Sequence, residues 1–142
     1  MNYNDRLPVK FIQDNLLLFV VAFVSGAMLL WPLVRRGAGG PYVDTARATQ
    51  LINREDAVVI DVREPGEFGT GHILGARNVP LSRINAGEVD VKAKDKPVIV
   101  CCDTGNRSSQ AIAGLKKLGY SNIFNLSGGI GAWRQAGLPV EK

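Results

Sequence analysis

The sequence predicts an α/β fold, in which an open parallel sheet is flanked by helices and preceded by one transmembrane helix. Continuous apolar runs of strand length, at residues 57–62 and 97–101, are typical of strands buried on both faces of a parallel sheet. They alternate with segments of helical periodicity, and ligands of such folds bind at the carboxyl ends of the strands. Ahead of them, residues 16–33 form an uncharged apolar run.

The first element is the predicted membrane span over residues 16–33. These 18 residues would form a helix about 27 Å long, which is enough to cross a bilayer. Trp31 suits the headgroup region, and Pro32 is tolerated in the last turn. A cleaved signal peptide would have a shorter apolar core followed by small residues, whereas Arg35 and Arg36 follow here. We therefore expect a single-pass anchor in the lipid bilayer.

Basic residues are more numerous after the span than before it. Arg6 and Lys10 precede it, while Arg35, Arg36 and Arg47 follow it. Because positive charge near a span tends to stay in the cytoplasm, we expect an inner-membrane protein of a bacterium whose C-terminal domain faces the cytoplasm. Thiols stay reduced in that compartment.

Length and glycine pattern divide the chain into three segments. Its 142 residues allow one ordinary domain and an appendage. A glycine-rich stretch after the span indicates a flexible linker. We predict an N-terminal tail and transmembrane helix over residues 1–36, a linker over residues 37–42 and the α/β domain over residues 43–142.

Within the domain, each element carries a local signal. Asp44 or Thr45 can cap a first helix through residues 47–52. Gly119 and Gly137 are positioned to end two later helices. In chain order, the remaining predictions are a strand at 57–62, a short strand at 78–80, a strand at 97–101, a helix at 108–118, a strand at 122–126 and a helix at 130–136.

Charge and cysteine content exclude several classes of function. The net charge is +4, but residues 41–142 hold 13 Lys and Arg against 11 Asp and Glu, interspersed along the chain. Such a surface is solvated and offers no stripe that would bind nucleic acid. Two cysteines that are adjacent in sequence cannot join distant segments by a disulfide. With one histidine, they cannot complete a four-ligand zinc site.

Cys102 lies at the junction between the strand at 97–101 and the helix at 108–118. The backbone N–H groups of a tight loop at a helix N-terminus converge on one point, and the helix dipole adds positive potential there. Both favour a negatively charged sulfur, and Arg107 adds a fixed positive charge. We therefore predict that Cys102 is a nucleophile that needs no histidine base, since the one histidine, His72, is distant in sequence.

Residues 102–108 resemble the active-site loop of the rhodanese (sulfurtransferase) domain, Cys-x-x-Gly-x-Arg-Ser. The resemblance extends in order from about Val43 to Val140, which is one whole domain. Four colinear motifs are far more specific than any one of them alone. The three further motifs are Asp-Val-Arg-Glu at 61–64, Gly-His-Ile-x-Gly-Ala at 71–76 and Gly-Gly-x-x-x-Trp at 128–133.

The resemblance implies a rhodanese-like fold and sulfurtransferase activity for residues 43–142. The Cys102 thiolate would take a sulfane sulfur from a small donor, thiosulfate or a persulfide, become a persulfide and pass the sulfur to a thiol acceptor, which includes protein thiols. No organic cofactor and no metal are implied. The loop residues that would bind the substrate are Asp103, Thr104, Gly105, Asn106, Arg107 and Ser108.

Two alternatives stay open at this point. A catalytically weak rhodanese-like module could recruit a partner at the membrane, although silent members of the family typically lack the cysteine that this chain retains. Phosphatase relatives have a loop one residue longer, whereas four residues separate Cys102 from Arg107 here, so phosphate chemistry is disfavoured. Asp103 either repels a dianionic donor, which would favour persulfides, or turns into solvent.

The remaining polar residues are expected to support the loop. Asp61 and Arg63 end another strand, and an ion pair that holds the loop is the expected arrangement. His72 is expected to make loop hydrogen bonds. Because side chains alternate along a strand, Cys101 is expected to point away from Cys102 and into the core.

Overall fold

A computed structural model describes residues 6–38 and 40–142 of the chain. The chain divides into two compact units, one up to Arg36 and one from Gly37 onward. Residues 1–5 of the predicted tail and Gly39 of the predicted linker lie outside the described residues.

The described residues of the N-terminal unit form α1 (Arg6–Asp14) and most of α2 (Leu16–Ala38), whose last two residues belong to the second unit. Residues 16–34 have a mean hydropathy of 2.4, so by length and composition α2 can cross a membrane. The same properties suit a signal sequence. Because α2 continues to Ala38 and the next strand begins at Tyr42, only Gly40 and Pro41 of the predicted linker are described outside helix and strand.

The second unit contains a five-stranded parallel sheet between helices, which confirms the predicted fold class. The strands of this unit are β1 (Tyr42–Val43), β2 (Val58–Asp61), β3 (His72–Ile73), β4 (Arg77–Asn78), β5 (Val98–Cys101), β6 (Ile123–Leu126) and β7 (Val140–Glu141). Its helices are α3 (Thr45–Glu55), α4 (Pro65–Phe68), α5 (Leu81–Asn85), α6 (Asn106–Lys117) and α7 (Gly129–Gln135). The sheet order β1-β6-β5-β2-β4 makes β5 the central strand, and β3 pairs with β7 in a separate antiparallel ladder.

Alternation along β5 divides its side chains between the two faces of the sheet. Val98 and Val100 pack in one buried cluster with Leu115 of α6. Ile99 packs in a second cluster with Trp133 of α7. Burial on both faces explains why the strand is a continuous apolar run rather than an alternating one.

Some boundaries differ from the predictions. The helix predicted at 47–52 is longer, because Asp44 caps it by accepting the Arg47 N–H at 2.7 Å. The strand predicted at 78–80 ends earlier, since Pro80 has no N–H to donate and instead precedes α5. The elements β1, α4, β3, α5 and β7 were not predicted, because segments of two to five residues are too short for a periodic pattern.

Candidate functional site

Cys102 is the first residue after the central strand, and α6 begins at Asn106. Gly105, the N-cap of α6, has a φ of 106°, in the left-handed region that favours glycine. This turn directs the Gly105 N–H at the Cys102 Sγ atom, 3.0 Å away. Cys102 itself is 1% exposed. The local backbone therefore supplies a hydrogen-bond donor to the sulfur at the positive end of α6.

Ser108 provides a second polar contact to the sulfur. Its Oγ atom lies 3.4 Å from Cys102 Sγ, 2.7 Å from Asn125 Oδ1 and 2.9 Å from the Gly105 carbonyl oxygen. A hydroxyl has one proton, so Ser108 donates to one of these acceptors at a time. An ionised Cys102 would compete for that proton with the other two.

Asn125 connects the loop to the edge strand of the sheet through a hydrogen-bond network. Its Nδ2 group donates to Ser109 Oγ at 2.7 Å, and Ser109 Oγ donates to the Gly105 carbonyl at 2.8 Å. The Tyr42 hydroxyl lies 3.0 Å from the same Ser109 oxygen. Asn125 is fully buried. The sequence motifs indicate no role for it, although a single polar residue within an apolar strand is a signal of one.

Gly129 lets the N-terminus of α7 approach the backbone of the loop. A Cβ atom on Gly129 would lie 2.2 Å from the Cys102 carbonyl oxygen and 2.6 Å from that of Asp103, and its φ is +57°. At this junction the Ile130 N–H donates to the Cys102 carbonyl at 2.9 Å. The second glycine of the Gly-Gly motif is therefore required by packing against the loop.

Arg107 is paired with the carboxylate of Glu67, a contact that the loop sequence does not predict. Its Nη1 and Nη2 groups donate to the two oxygens of Glu67, at 2.7 and 2.8 Å. The Glu64 N–H also donates to Glu67, at 3.0 Å. These bonds lower the pKa of Glu67 to about 2, and the carboxylate raises the pKa of Arg107 above its usual value.

The other loop residues differ in exposure. Asp103, Thr104 and Asn106 are exposed, whereas Gly105 and Ser108 are buried. The structure therefore brings Gly105 and Ser108 onto the sulfur and leaves the Asp103 carboxylate at the surface of the loop, in contact with solvent.

Asp61 and Arg63 form a buried ion pair at the end of β2, the neighbour of β5. Arg63 donates from Nε to Asp61 Oδ1 at 3.0 Å and from Nη2 to Asp61 Oδ2 at 2.7 Å. Arg63 Nη2 also donates to the Gly71 carbonyl at 2.9 Å. The hydrogen bond to Asp61 raises the pKa of Arg63. The pair thus fixes residues 63–71, the segment that carries Glu67.

Cys101 points to the opposite face of the sheet from Cys102, as predicted. It packs in the cluster of Ile99, while Cys102 packs in the cluster of Val100. Burial, with a smaller contribution from Asp61, raises the pKa of the Cys101 thiol well above its usual value. Both cysteines are free thiols.

His72 makes the loop hydrogen bond that the sequence predicted. Its Nδ1 atom lies 3.0 Å from the Phe68 carbonyl oxygen, and its ring stacks on that of Phe68 with centroids 3.6 Å apart. Its Nε2 atom is 3.4 Å from Glu141. These contacts are structural. Within residues 6–38 and 40–142, no three His, Cys, Asp or Glu residues form a group that could hold a metal ion.

Known proteins are similar to this chain in sequence and in fold. Residues 44–136 match the family model of the Rhodanese-like domain. An uncharacterized protein of Synechocystis is 41% identical over 97 residues, which cover 68% of this chain and 54% of that protein. This chain therefore spans about half the length of that relative.

Two other known proteins align with this chain over nearly their whole length. A sulfurtransferase of Allochromatium vinosum is 37% identical over 99 residues, which cover 69% of this chain and 92% of that protein. The crystal structure of a rhodanese-related protein from Thermoplasma volcanium superimposes with a TM-score of 0.63 at 35% identity, covering 71% of this chain and 97% of that one.

Proposed function

Because the chain belongs to the rhodanese-like domain family, we propose that it is a sulfurtransferase that carries sulfur on Cys102. The supporting observation is the position of the Cys102 Sγ atom, which follows the central strand and accepts the Gly105 N–H at 3.0 Å. A sulfur at the N-terminus of α6 lies where the helix dipole stabilises negative charge. The thiolate is the reactive form of a cysteine nucleophile.

Sulfur transfer proceeds in two displacements. The Cys102 thiolate attacks the outer sulfur of a donor, so that a bond forms between the two sulfur atoms and the donor's own S–S bond breaks. The electron pair of that bond leaves on sulfite when the donor is thiosulfate, or on a thiolate when the donor is a persulfide. An acceptor thiolate then attacks the outer sulfur, and Cys102 leaves as a thiolate. The enzyme returns to its starting state.

The persulfide intermediate extends the negative charge outward by one atom. Asn106, Arg107 and Ser108 are the first residues of α6, so their N–H groups have no carbonyl partner within that helix. Donors fixed in advance around a developing anion stabilise it without reorganisation. The buried Ser108 hydroxyl adds one more donor close to the sulfur.

The activity is tested by exposing the reduced full-length protein in detergent to thiosulfate or to cysteamine persulfide and measuring its intact mass. We expect the mass of one added sulfur atom, located on the Cys102 peptide and removed by excess thiol. Cys102→Ser should show no gain. An unmodified wild-type protein with both donors would contradict the proposed function. It would favour the alternative of a binding module.

We also propose that α2 anchors the domain at the cytoplasmic face of the inner membrane. The apolar length of residues 16–34 supports a span, and the greater positive charge after it supports this orientation. Reporter fusions to Lys142 test both points, one active only in the cytoplasm and one only in the periplasm. Cytoplasmic activity in the membrane fraction is expected. Periplasmic activity alone would reverse the orientation, and a soluble, N-terminally trimmed chain would identify a signal peptide.

A further inference from the structure

The two arginines whose charges act on the cysteine loop are each bound to a carboxylate. Arg63 pairs with Asp61, and Arg107 pairs with Glu67. Asp103 also acts electrostatically on both arginines. Its carboxylate is exposed, and the described part of the chain shows no ion pair to it. These five groups together carry one excess negative charge, although the loop sequence alone suggests a cationic site.

Glu67 is held in place by its own helix and by Arg107. Oε2 accepts both the Arg107 Nη1 group at 2.7 Å and the Glu64 N–H at 3.0 Å, while Oε1 accepts Arg107 Nη2 at 2.8 Å. With a pKa of about 2, the carboxylate stays ionised at physiological pH. The two Nη groups of Arg107 are therefore directed at Glu67, and the guanidinium charge is largely neutralised.

We propose that Glu67 is a specificity-determining residue that directs Cys102 toward persulfide donors and away from thiosulfate. The inference rests on the proposed sulfurtransferase function. By neutralising Arg107, Glu67 removes the positive charge that would attract a dianion, and Asp103 adds a repulsive charge at the mouth of the loop. The preferred donor is a persulfide with a cationic group near its sulfur, such as the persulfide of an aminothiol or of a protein cysteine flanked by basic residues.

The two donors differ in the charge that leaves. With thiosulfate, the new bond to Cys102 Sγ releases the S–S electron pair on sulfite, a dianion that the excess negative charge of the site repels. With a protonated persulfide RS–SH, the same displacement releases RS⁻ and leaves the proton on the transferred sulfur. A leaving thiolate that carries an ammonium group has no net charge, so the excess negative charge of the site does not oppose it.

Glu67→Gln tests the proposal, because glutamine retains an oxygen for the Glu64 N–H but removes the charge. We expect kcat/KM for thiosulfate to rise about five- to tenfold at low ionic strength, since one added positive charge then acts on a dianion. The gain should shrink at high salt. For cysteamine persulfide, whose reacting RS–SH form carries one positive charge on its ammonium group, kcat/KM should instead fall about two- to threefold. Glu67→Asp, which keeps the charge, should retain the wild-type donor preference.

Asp56→Asn is the matched control. It makes the same change in charge at the N-terminal end of the strands, opposite the end that carries Cys102, where Asp56 pairs with Lys96. Asparagine also tolerates the left-handed conformation that Asp56 adopts there, with a φ of 54°. The control should leave kcat/KM for both donors unchanged.

Three outcomes would overturn the role of Glu67. One is an unchanged or lower kcat/KM for thiosulfate in Glu67→Gln, another is an equal fall for both donors, and the third is an equal gain for thiosulfate in Asp56→Asn. Each of these leaves sulfur uptake by wild-type Cys102 intact. The proposed function fails separately, when the wild-type protein takes sulfur from neither donor.

Discussion

Cys101 and Cys102 are adjacent in the chain and almost equally buried, at 0% and 1% exposure, yet their surroundings are opposite. Cys101 lies among apolar side chains, next to a carboxylate, and burial raises the pKa of its thiol. Cys102 lies at the start of a turn whose Gly105 N–H and Ser108 hydroxyl contact its sulfur. Burial therefore does not distinguish the two thiols, whereas the hydrogen-bond donors around the sulfur do.

The contrast extends to the ion pairs beside the two cysteines. Arg63 and Asp61 have side chains that are 3% and 0% exposed, whereas Arg107 and Glu67 are 35% and 38% exposed. The first pair belongs to the framework of the domain, where removal of one partner would leave a buried charge. The second pair is partly exposed, so we expect that its charge can be altered without loss of the fold.

The largest effect should come from replacing the two cysteines one at a time. Cys102→Ala should reduce thiosulfate-to-cyanide transfer and persulfide transfer to the uncatalysed background, because the sulfur carrier is gone. Cys101→Ala removes only a small apolar side chain and should retain at least about half of the activity. Steady-state rates at matched protein concentration measure both. Comparable losses would show that the two sulfurs are not functionally distinct.

The next largest loss of activity should come from adding a side-chain carbon at Gly129, where α7 packs against the loop. Gly129→Ala places a Cβ atom 2.2 Å from the Cys102 carbonyl oxygen at a φ of +57°. We expect activity to fall about 100-fold, because small displacements of a catalytic group are costly. The free energy of unfolding should fall by about 2 kcal/mol.

Gly131→Ala is the control for Gly129→Ala. Its Cβ atom would lie 3.7 Å from the Asp103 carbonyl oxygen, an ordinary contact, and Gly131 lies within helix α7. Alanine there should preserve activity and slightly raise stability. Equal effects of the two substitutions on sulfur transfer would show that the close approach at Gly129 does not position Cys102.

A smaller effect is expected from the hydroxyl beside the sulfur. Ser108→Ala removes the donor 3.4 Å from Cys102 Sγ, and sulfur uptake should slow about tenfold. Ser109→Ala removes a hydroxyl of the same network that bonds Asn125 and the Gly105 carbonyl. It should slow uptake less than about threefold. Single-turnover rates of persulfide formation give the comparison. If Ser108→Ala and Ser109→Ala slow persulfide formation equally, the hydroxyl of Ser108 acts by holding the loop in shape and not through its contact with the sulfur.

The sequence predicts the parts of this contrast that depend on local pattern. A continuous apolar run places Cys101 and Cys102 at the end of a buried strand, and alternation places them on opposite faces. The short spacing between Asp61 and Arg63 indicates their ion pair. In each case, the interacting groups are close in sequence or share one element, so backbone periodicity determines their relation.

Local sequence pattern does not predict contacts between segments that are distant in the chain. Glu67 and Arg107 are 40 positions apart, and their pairing depends on how α4 packs beside the loop. Asn125 meets Ser108 across two neighbouring elements, 17 positions apart. The Gly-Gly motif was recognised from the family pattern. Only the structure shows that Gly129 contacts the Cys102 carbonyl.

The smallest effect should be the contribution of Glu67 to stability. Its pKa is about 2 in the folded protein against an ordinary value of 4.5. The pair with Arg107 therefore stabilises the fold above about pH 4.5 and loses this effect as the pH falls toward 2. Because Glu67 is 38% exposed, solvent screens the pair, and Glu67→Gln should lower the free energy of unfolding by at most about 1 kcal/mol near neutral pH.

Denaturant unfolding of the wild-type and Glu67→Gln full-length proteins in detergent should show a difference in the free energy of unfolding that is constant from pH 8 to 5 and smaller at pH 3. A difference that persists undiminished at pH 3 would contradict the lowered pKa, and a cost of several kcal/mol would show that this pair contributes as much to the fold as the buried pair of Asp61 and Arg63.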